Sequence, residues 1–248
     1  MKKVILITGG SRGIGAATAR LAAQEGYAVC ISYLSNQAAA DAVVASIHAQ
    51  NGTALALQAD VAQEQDVVRL FQQLDAALGP VTALVNNAGI LAQQARVEDL
   101  SAERISKIFA TNVVGSFICA REAVRRMSTK HGGQGGAIVN ISSRAARIGG
   151  PGEYVDYAAS KAAIDTLTIG LAKEVALDGI RVNAVSPGMI YTDIHASGGE
   201  AGRVDRLKHL VPMQRGGYPD EVAQAVLWLL SDQASYTTGS TIDVAGGR

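Results

Sequence analysis

The sequence predicts an α/β fold: a doubly wound parallel sheet in three layers, with helices on both faces. Three observations predict it. Short β-branched runs alternate with longer Ala-rich segments of helical period along the whole chain. The strand-like runs are apolar at nearly every position, as strands buried on both faces must be. Small residues abound while aromatics make up only 4%, a composition that suits close helix-on-sheet contact. The 248 residues are read as one domain, 1–248, since single α/β domains run to about 200–250 residues.

The elements follow in order. KVILIT (3–8) reads as a buried first strand, and AATARLAAQEG as a helix that stops at Gly26. AVCISY (28–33) is a second strand, followed by a helix ending at Asn51-Gly52. TALALQAD (53–60) is a third strand, and EQDVVRLFQQLDAALG a third helix. VTALVNNAG (81–89) is a fourth strand running into a loop, and a long helical region covers roughly 101–130. GAIVNIS (136–142) is a fifth strand. A long helix from Tyr157 to about Asp178 carries Ile164, Leu167, Leu171 and Val175 on one stripe. IRVNAVS (180–186) is a sixth strand. Pro219-Asp220-Glu221 opens a helix with Val222, Val226 and Leu229, and STIDVAG (240–246) is the last strand. HGGQGG (131–136) precedes a strand and reads as a plain turn. HASGGEAG, within the irregular stretch 191–218, reads as a mobile surface segment.

Charge and composition exclude several classes. Net charge is zero and no basic run stands out, which argues against a nucleic-acid partner. Cys30 and Cys119 sit in apolar surroundings and read as core thiols rather than a disulfide. His48, His131, His195 and His209 lack metal-ligand spacing, so no metal site is expected. The apolar start MKKVILITGG breaks at Thr8-Gly9-Gly10, too early for a membrane span or a leader, so the expectation is a soluble cytoplasmic protein.

The chemistry begins at TGGSRGIG (8–15), directly after the first strand. The pattern is T-G-x-x-x-G-x-G, neither G-x-G-x-x-G nor a P-loop. Glycines at a strand-to-helix turn let backbone approach a pyrophosphate, and the helix start offers free N–H groups and positive dipole. Dinucleotide binding on a Rossmann-type sandwich is the reading. NAD enzymes commonly place an acid at the end of the second strand, for the ribose hydroxyls. Here that strand ends Ser32-Tyr33-Leu34-Ser35-Asn36, without an acid, while Arg12 can meet a 2′-phosphate. NADP(H) is therefore favoured over NAD(H). Asp60, ending the third strand, can accept from an adenine amino group. Asn86 and Asn87 of NNAG either border the crevice or brace the loop through backbone hydrogen bonds.

EYVDYAASK (153–161) holds two tyrosines. Tyr157 and Lys161 are four apart and share a helix face, whereas the glycines at 149–152 argue for a helix start too late to include Tyr154. Tyr154 reads as a packing or substrate-loop residue. For a phenol to ionise near neutrality costs about 3–4 kcal/mol, and an ammonium about 4 Å away supplies roughly 4 kcal/mol at an effective dielectric near 20. Ser142-Ser143 bring a hydroxyl to the same edge of the sheet. A hydroxyl donor and an activated phenol can together hold a carbonyl oxygen and deliver a proton.

The chain resembles a short-chain dehydrogenase/reductase of the ordinary single-domain type. The matching pieces are TGGSRGIG, Asp60, NNAG, Asn112 in FATNVVGSF, VNISS (139–143), Tyr157-x-x-x-Lys161, VNAVSPG (182–188) with Thr192, and TTGSTIDVAGG, in family order. The resemblance implies Tyr157 as general acid/base. It implies Lys161 as the group that lowers the phenol's pKa and binds the nicotinamide ribose, and Asn112 as support for a water relay reaching Lys161. Ser143 is implied as the hydroxyl on the reacting oxygen, with Ser142 as its rival. Cofactor contacts are implied at Gly9, Ser11, Arg12, Gly13, Ile14 and Gly15, at Ser32, Tyr33, Asp60 and Val61, and at Asn87, Ala88 and Gly89. Tyr157, Lys161, Pro187, Gly188, Ile190 and Thr192 complete that set. A substrate lid at about 192–210, a small-molecule carbonyl or alcohol substrate and a homotetramer are implied as well. A different reading is a catalytically silent NADP(H)-sensing protein on the same fold, against which the full Ser–Tyr–Lys set counts.

Overall fold

The computed structural model describes residues 3–248, so the first two residues of the predicted N-terminal run lie outside it. In chain order the main elements are β1 (Val4–Ile7), α1 (Gly13–Gln24), β2 (Ala28–Tyr33), α2 (Gln37–His48), β3 (Ala54–Gln58), α3 (Glu64–Leu78) and β4 (Ala83–Asn86). Then come α4 (Ala102–Phe109), α5 (Gly115–Met127), β5 (Gly136–Ile141), α6 (Ala145–Ile148), α7 (Val155–Val175) and β6 (Ile180–Pro187). The chain ends with α8 (Ile194–Ser197), α9 (Arg203–Leu207), α10 (Pro219–Leu230) and β7 (Thr241–Val244).

The strands form one seven-stranded sheet in the order β3-β2-β1-β4-β5-β6-β7, and every neighbouring pair is parallel. The order reverses between β1 and β4, which leaves a crevice at the strands' carboxyl ends. Alternation along each strand feeds two cores. Ile5 and Ile7 face Val29, Ile31 and the α10 residues Val222 and Val226 on one side. Val4 and Leu6 face Phe71, Leu74, Cys119 and Val175 on the other. Val67, Leu70, Phe71 and Leu74 recur at helical spacing on α3 and are all buried. Each such side chain contributes roughly 1.5–3 kcal/mol by leaving water. The outer strands depart from the expectation of two apolar faces: β3 and β7 are half-exposed sheet edges.

Four boundaries differ from the sequence reading, each for a physical reason. Helix α1 starts at Gly13 rather than Ala16, because Gly13 and Gly15 are taken up in its first turn. The region 101–130 is not one helix: a π-helical stretch, Ala110–Val114, separates α4 from α5. Helix α7 begins at Val155, two residues before Tyr157, with Tyr154 at the capping position. The stretch 191–218 holds α8 and α9, and ion pairs among Glu153, Glu200, Arg203 and Arg206 fasten it down.

Candidate active site

One cavity of about 810 Å³ opens at the carboxyl edge of the sheet and runs from the glycine loop to α8 and α9. That volume lies in the range of small-ligand sites. Among the sequence-derived candidates, Gly9, Ser11, Arg12, Gly13, Ile14, Ser32, Tyr33, Asp60, Val61, Asn87, Ala88, Gly89, Ser143, Tyr157, Lys161, Pro187, Gly188, Ile190 and Thr192 line it. Gly15 and Asn112 stand behind the wall.

The glycine loop is held by neutral hydrogen bonds. Asn87 Nδ2 donates to the carbonyls of Thr8 (2.9 Å) and Gly9 (3.0 Å), and Thr8 Oγ1 accepts from the amides of Asn87 and Ala88. Asn87 thus braces the loop and borders the cavity, while the neighbouring Asn86 is buried and donates to Asn140 Oδ1. Gly9 has φ +65°, and a Cβ there would sit 3.0 Å from Ala88 Cα. A Cβ at Gly15 would lie 2.6 Å from both Asn87 Nδ2 and the Gly9 carbonyl. The loop therefore seats only glycine at these points. Arg12 caps α1 in extended backbone and offers no side-chain cap bond, so the first-turn amides of α1 remain available to an anion. Among the described residues the exposed Arg12 makes no ion pair. These features fit a dinucleotide's pyrophosphate.

At the far end of the loop Ser32 is buried and accepts from the Gly9 amide, so it acts through the loop's shape. Asn36 spends its side chain capping α2. Asp60 Oδ1 accepts from the Ala62 amide, and its own amide donates to Asp66 Oδ2. On the other side, the Thr192 methyl lies 3.3 Å from where a Gly13 Cβ would be, which closes the chain after β6 over the loop.

The two serines are separated by their neighbours. Ser142 borders the cavity too but is buried, and its hydroxyl is spent on the Lys161 carbonyl at 3.3 Å. Ser143 lines the cavity, accepts from the Ala145 amide, and its hydroxyl neighbours the Tyr157 phenol and favours the ionised form. Lys161 is buried, and Nζ donates to the Ile141 carbonyl at 2.7 Å. Asn112, in the π-helical turn, accepts from the Ile90 amide (2.8 Å) and donates to the Ile90 carbonyl (3.1 Å) and to Ser160 Oγ (3.0 Å). A Cβ at Gly89 would lie 3.5 Å from both Asn112 Oδ1 and Lys161 Nζ, so the asparagine and the lysine flank one glycine.

At the phenol, the expected depression by Lys161 meets an opposing influence. Tyr157 is open to the cavity but deep beneath the protein surface, and burial pushes its pKa up, with Ser143 pulling the other way. Lys161 Nζ lies 5.7 Å from the Tyr157 ring centroid and is tied to the Ile141 carbonyl. Burial lowers the lysine itself to about 8, and the Asp165 carboxylate one turn on favours its charged form.

Tyr154 packs against the segment after β6 and also borders the cavity. It is buried, its hydroxyl donates to the Gly198 carbonyl at 3.1 Å, and the Arg203 guanidinium lies 5.0 Å from its ring centroid. Sequence reasoning missed Thr8 and Ser160, whose roles come from hydrogen bonds to partners 79 and 48 residues away. It also missed the apolar substrate end, Leu91, Ile148, Met189, Ile194 and Leu207, where scattered single residues leave no periodic signal.

Comparison with known proteins fits this geometry. A family model described as enoyl-(acyl carrier protein) reductase matches residues 9–248. The chain is 62% identical over 245 residues to the uncharacterized oxidoreductase YgfF of Escherichia coli (strain K12), covering 99% of each. It is 39% identical to a 3-oxoacyl-[acyl-carrier-protein] reductase of Synechocystis, covering 99% of this chain and 96% of that protein. A short-chain dehydrogenase/reductase from Serratia marcescens superposes with TM-score 0.90 at 34% identity, over 99% of this chain and 97% of that one. The chain belongs to the short-chain dehydrogenase/reductase family, and it is an oxidoreductase of the kind that uses a nicotinamide cofactor.

Proposed function

We propose that the protein is an NADP(H)-dependent oxidoreductase that interconverts a carbonyl and a secondary alcohol, with Tyr157 as general acid/base. The observation that carries this reading is the meeting of Ser143, Tyr157 and Lys161 in one cavity with the glycine loop. When bound, the nicotinamide dinucleotide supplies or takes up the hydride. The loop residues Gly9, Ser11, Gly13 and Ile14 hold its pyrophosphate, with Gly15 packed behind them. Tyr33, Asp60 and Val61 border the adenosine, and Asn87, Ala88 and Gly89 the ribose beside Lys161. Pro187, Gly188, Ile190 and Thr192 border the nicotinamide. The acid-free end of β2 and the unpaired Arg12 favour the 2′-phosphate of NADP(H).

Ser143 and Tyr157 donate to the substrate oxygen from one side. Burial keeps the phenol protonated at neutral pH, which suits it to give a proton during carbonyl reduction. Lys161 anchors on the Ile141 carbonyl and, when charged, favours the phenolate left behind. Asn112, bonded to Ile90 and Ser160, supports the wall beside Lys161, where a water relay would pass. The substrate end carries apolar surface from Leu91, Ile148, Met189, Ile194 and Leu207 beside the polar Glu153, His195 and Arg203, so a largely apolar ketone or a 3-oxoacyl thioester is the favoured class. The relatives named 3-oxoacyl-[acyl-carrier-protein] reductase support including the thioester. Residues 192–210 serve as the lid within a single domain.

We further propose a homotetramer acting in the cytoplasm. Phe117, half exposed, and the exposed Val114 and Ile169 leave apolar surface on the π turn, α5 and α7 for neighbouring copies. No described helix is long and apolar enough to cross a membrane.

The test is carbonyl-dependent consumption of NADPH over alkyl and aryl ketones and a 3-oxoacyl thioester. Tyr157→Phe is expected to abolish turnover while NADPH still binds. Tight NADPH binding by the native protein with no turnover on the whole panel would favour the silent sensor instead.

A further inference from the structure

Arg104, on α4, is joined to two separate parts of the site. Its Nε donates to Asp156 Oδ2 at 2.7 Å and its Nη2 to Asp156 Oδ1 at 3.3 Å, while Nη1 donates to the Gln93 carbonyl at 2.6 Å. The Asp156 side chain is 1% exposed. Its Oδ1 also accepts from the amide of Tyr157 at 2.9 Å. One guanidinium fork thus grips the first turn of α7 next to Tyr157, and also the loop that leads from β4.

Two turns further along the same helical run, Asn112 makes the matching pair of contacts. It bonds both backbone groups of Ile90 on the loop and Ser160 Oγ on α7. The loop is therefore held at 90 and at 93, on either side of Leu91, which lines the cavity. Helix α7 is held at 156 and at 160, on either side of Tyr157. A lone surface ion pair would contribute little, but a buried fork that also orders a backbone amide fixes geometry.

We propose that Arg104 and Asp156 are positioning residues, which set the Tyr157 phenol against the substrate wall carried by Leu91. The fork ties the acid's helix to the substrate loop, so the reacting carbonyl and its proton donor are placed by the same side chain. Displacements near 1 Å can cost about 10²-fold in rate, which is the scale expected here. The catalytic consequence rests on the oxidoreductase reading above; the mechanical link does not.

The experiment compares native protein, Arg104→Ala and Arg104→Lys, each in the full chain. With NADPH and the fastest ketone of the panel, Arg104→Ala is expected to lose about 10²-fold in kcat with NADPH Kd unchanged. Its solvent deuterium isotope effect on kcat should rise, because proton delivery from Tyr157 becomes the slow step. Arg104→Lys keeps the charge without the fork, so it should lie between the two. It also serves if Arg104→Ala folds poorly. Amide hydrogen exchange is read in the same proteins without substrate. Residues 90–93 and 155–161 should lose protection together, while β5 and α5 keep theirs. Native exchange in those two segments in both variants would overturn the proposal, whatever the activity. Native kcat and isotope effect in both variants would also overturn it. Failure of the oxidoreductase reading would look different: no turnover by the native protein, or full turnover by Tyr157→Phe, with the exchange result still deciding the link.

Discussion

The two ends of the cavity are built by different forces. The loop at the cofactor end is held by neutral, backbone-based contacts: glycines pressed against Ala88 and Asn87, with amides and carbonyls satisfied by Thr8, Ser32 and Asn87. The substrate end is fastened by charge. Glu153, Glu200, Arg203 and Arg206 join α8 and α9 to the segment before α7, and Gln94 Nε2 donates to Glu200 Oε2 at 2.8 Å. Backbone contacts hold a shape at any pH and salt concentration, whereas the pairs of the exposed Arg206 weaken as salt screens them. The shape of the first end is thus set independently of salt, and that of the second partly by charge.

The comparison can be sharpened at its meeting point, the serine pair. Ser143→Ala removes a donor aimed at the substrate oxygen and is expected to cost about 10²–10³-fold in kcat. Ser142→Ala loses only a buried bond to the Lys161 carbonyl and should cost about 1 kcal/mol of stability with kcat nearly intact. Steady-state rates and urea unfolding of both variants check this, and the reverse pattern would exchange their roles. Next in size is Arg12→Ala. A charge-assisted bond to a 2′-phosphate is worth roughly 1.5–3 kcal/mol, so NADPH Kd should rise about 10- to 100-fold while NADH Kd stays put. Isothermal titration with both cofactors decides it, and an equal loss for both would remove Arg12 from the phosphate. The smallest effect is expected from Glu200→Gln, which loosens α8 and α9. KM should rise a few-fold, with cofactor Kd and thermal midpoint nearly unchanged, and high salt should reproduce the change in the native protein.

Much of this was legible in the sequence, for physical reasons. Local patterns gave the strands, since apolar β-branched runs bounded by Gly or Pro have few alternatives. β2 was read with its observed bounds and β5 to within one residue. The glycine loop and Tyr157–Lys161 were readable because each needs only one turn of backbone. What escaped depends on distance or burial. No spacing reveals that Arg104 will meet Asp156, 52 residues on, or that the helical region 101–130 takes a π-helical turn at Asn112. The balance at the phenol was not legible either, because the Coulomb gain from a lysine is visible in a sequence, while the cost of burying both groups is not.

That last point yields the most direct measurement: the pH dependence of NADPH-driven carbonyl reduction. Burial raises the Tyr157 pKa, so the proton donor is loaded throughout the neutral range. Reduction should hold steady from about pH 6 to 8 and fall only on the alkaline side, as the phenol ionises and Lys161 loses charge above about 8. Alcohol oxidation, which needs the deprotonated phenol, should rise with pH over the same span. Reduction that falls steadily through pH 6 to 8, as a lysine-depressed phenol ionising near neutrality requires, would contradict the account.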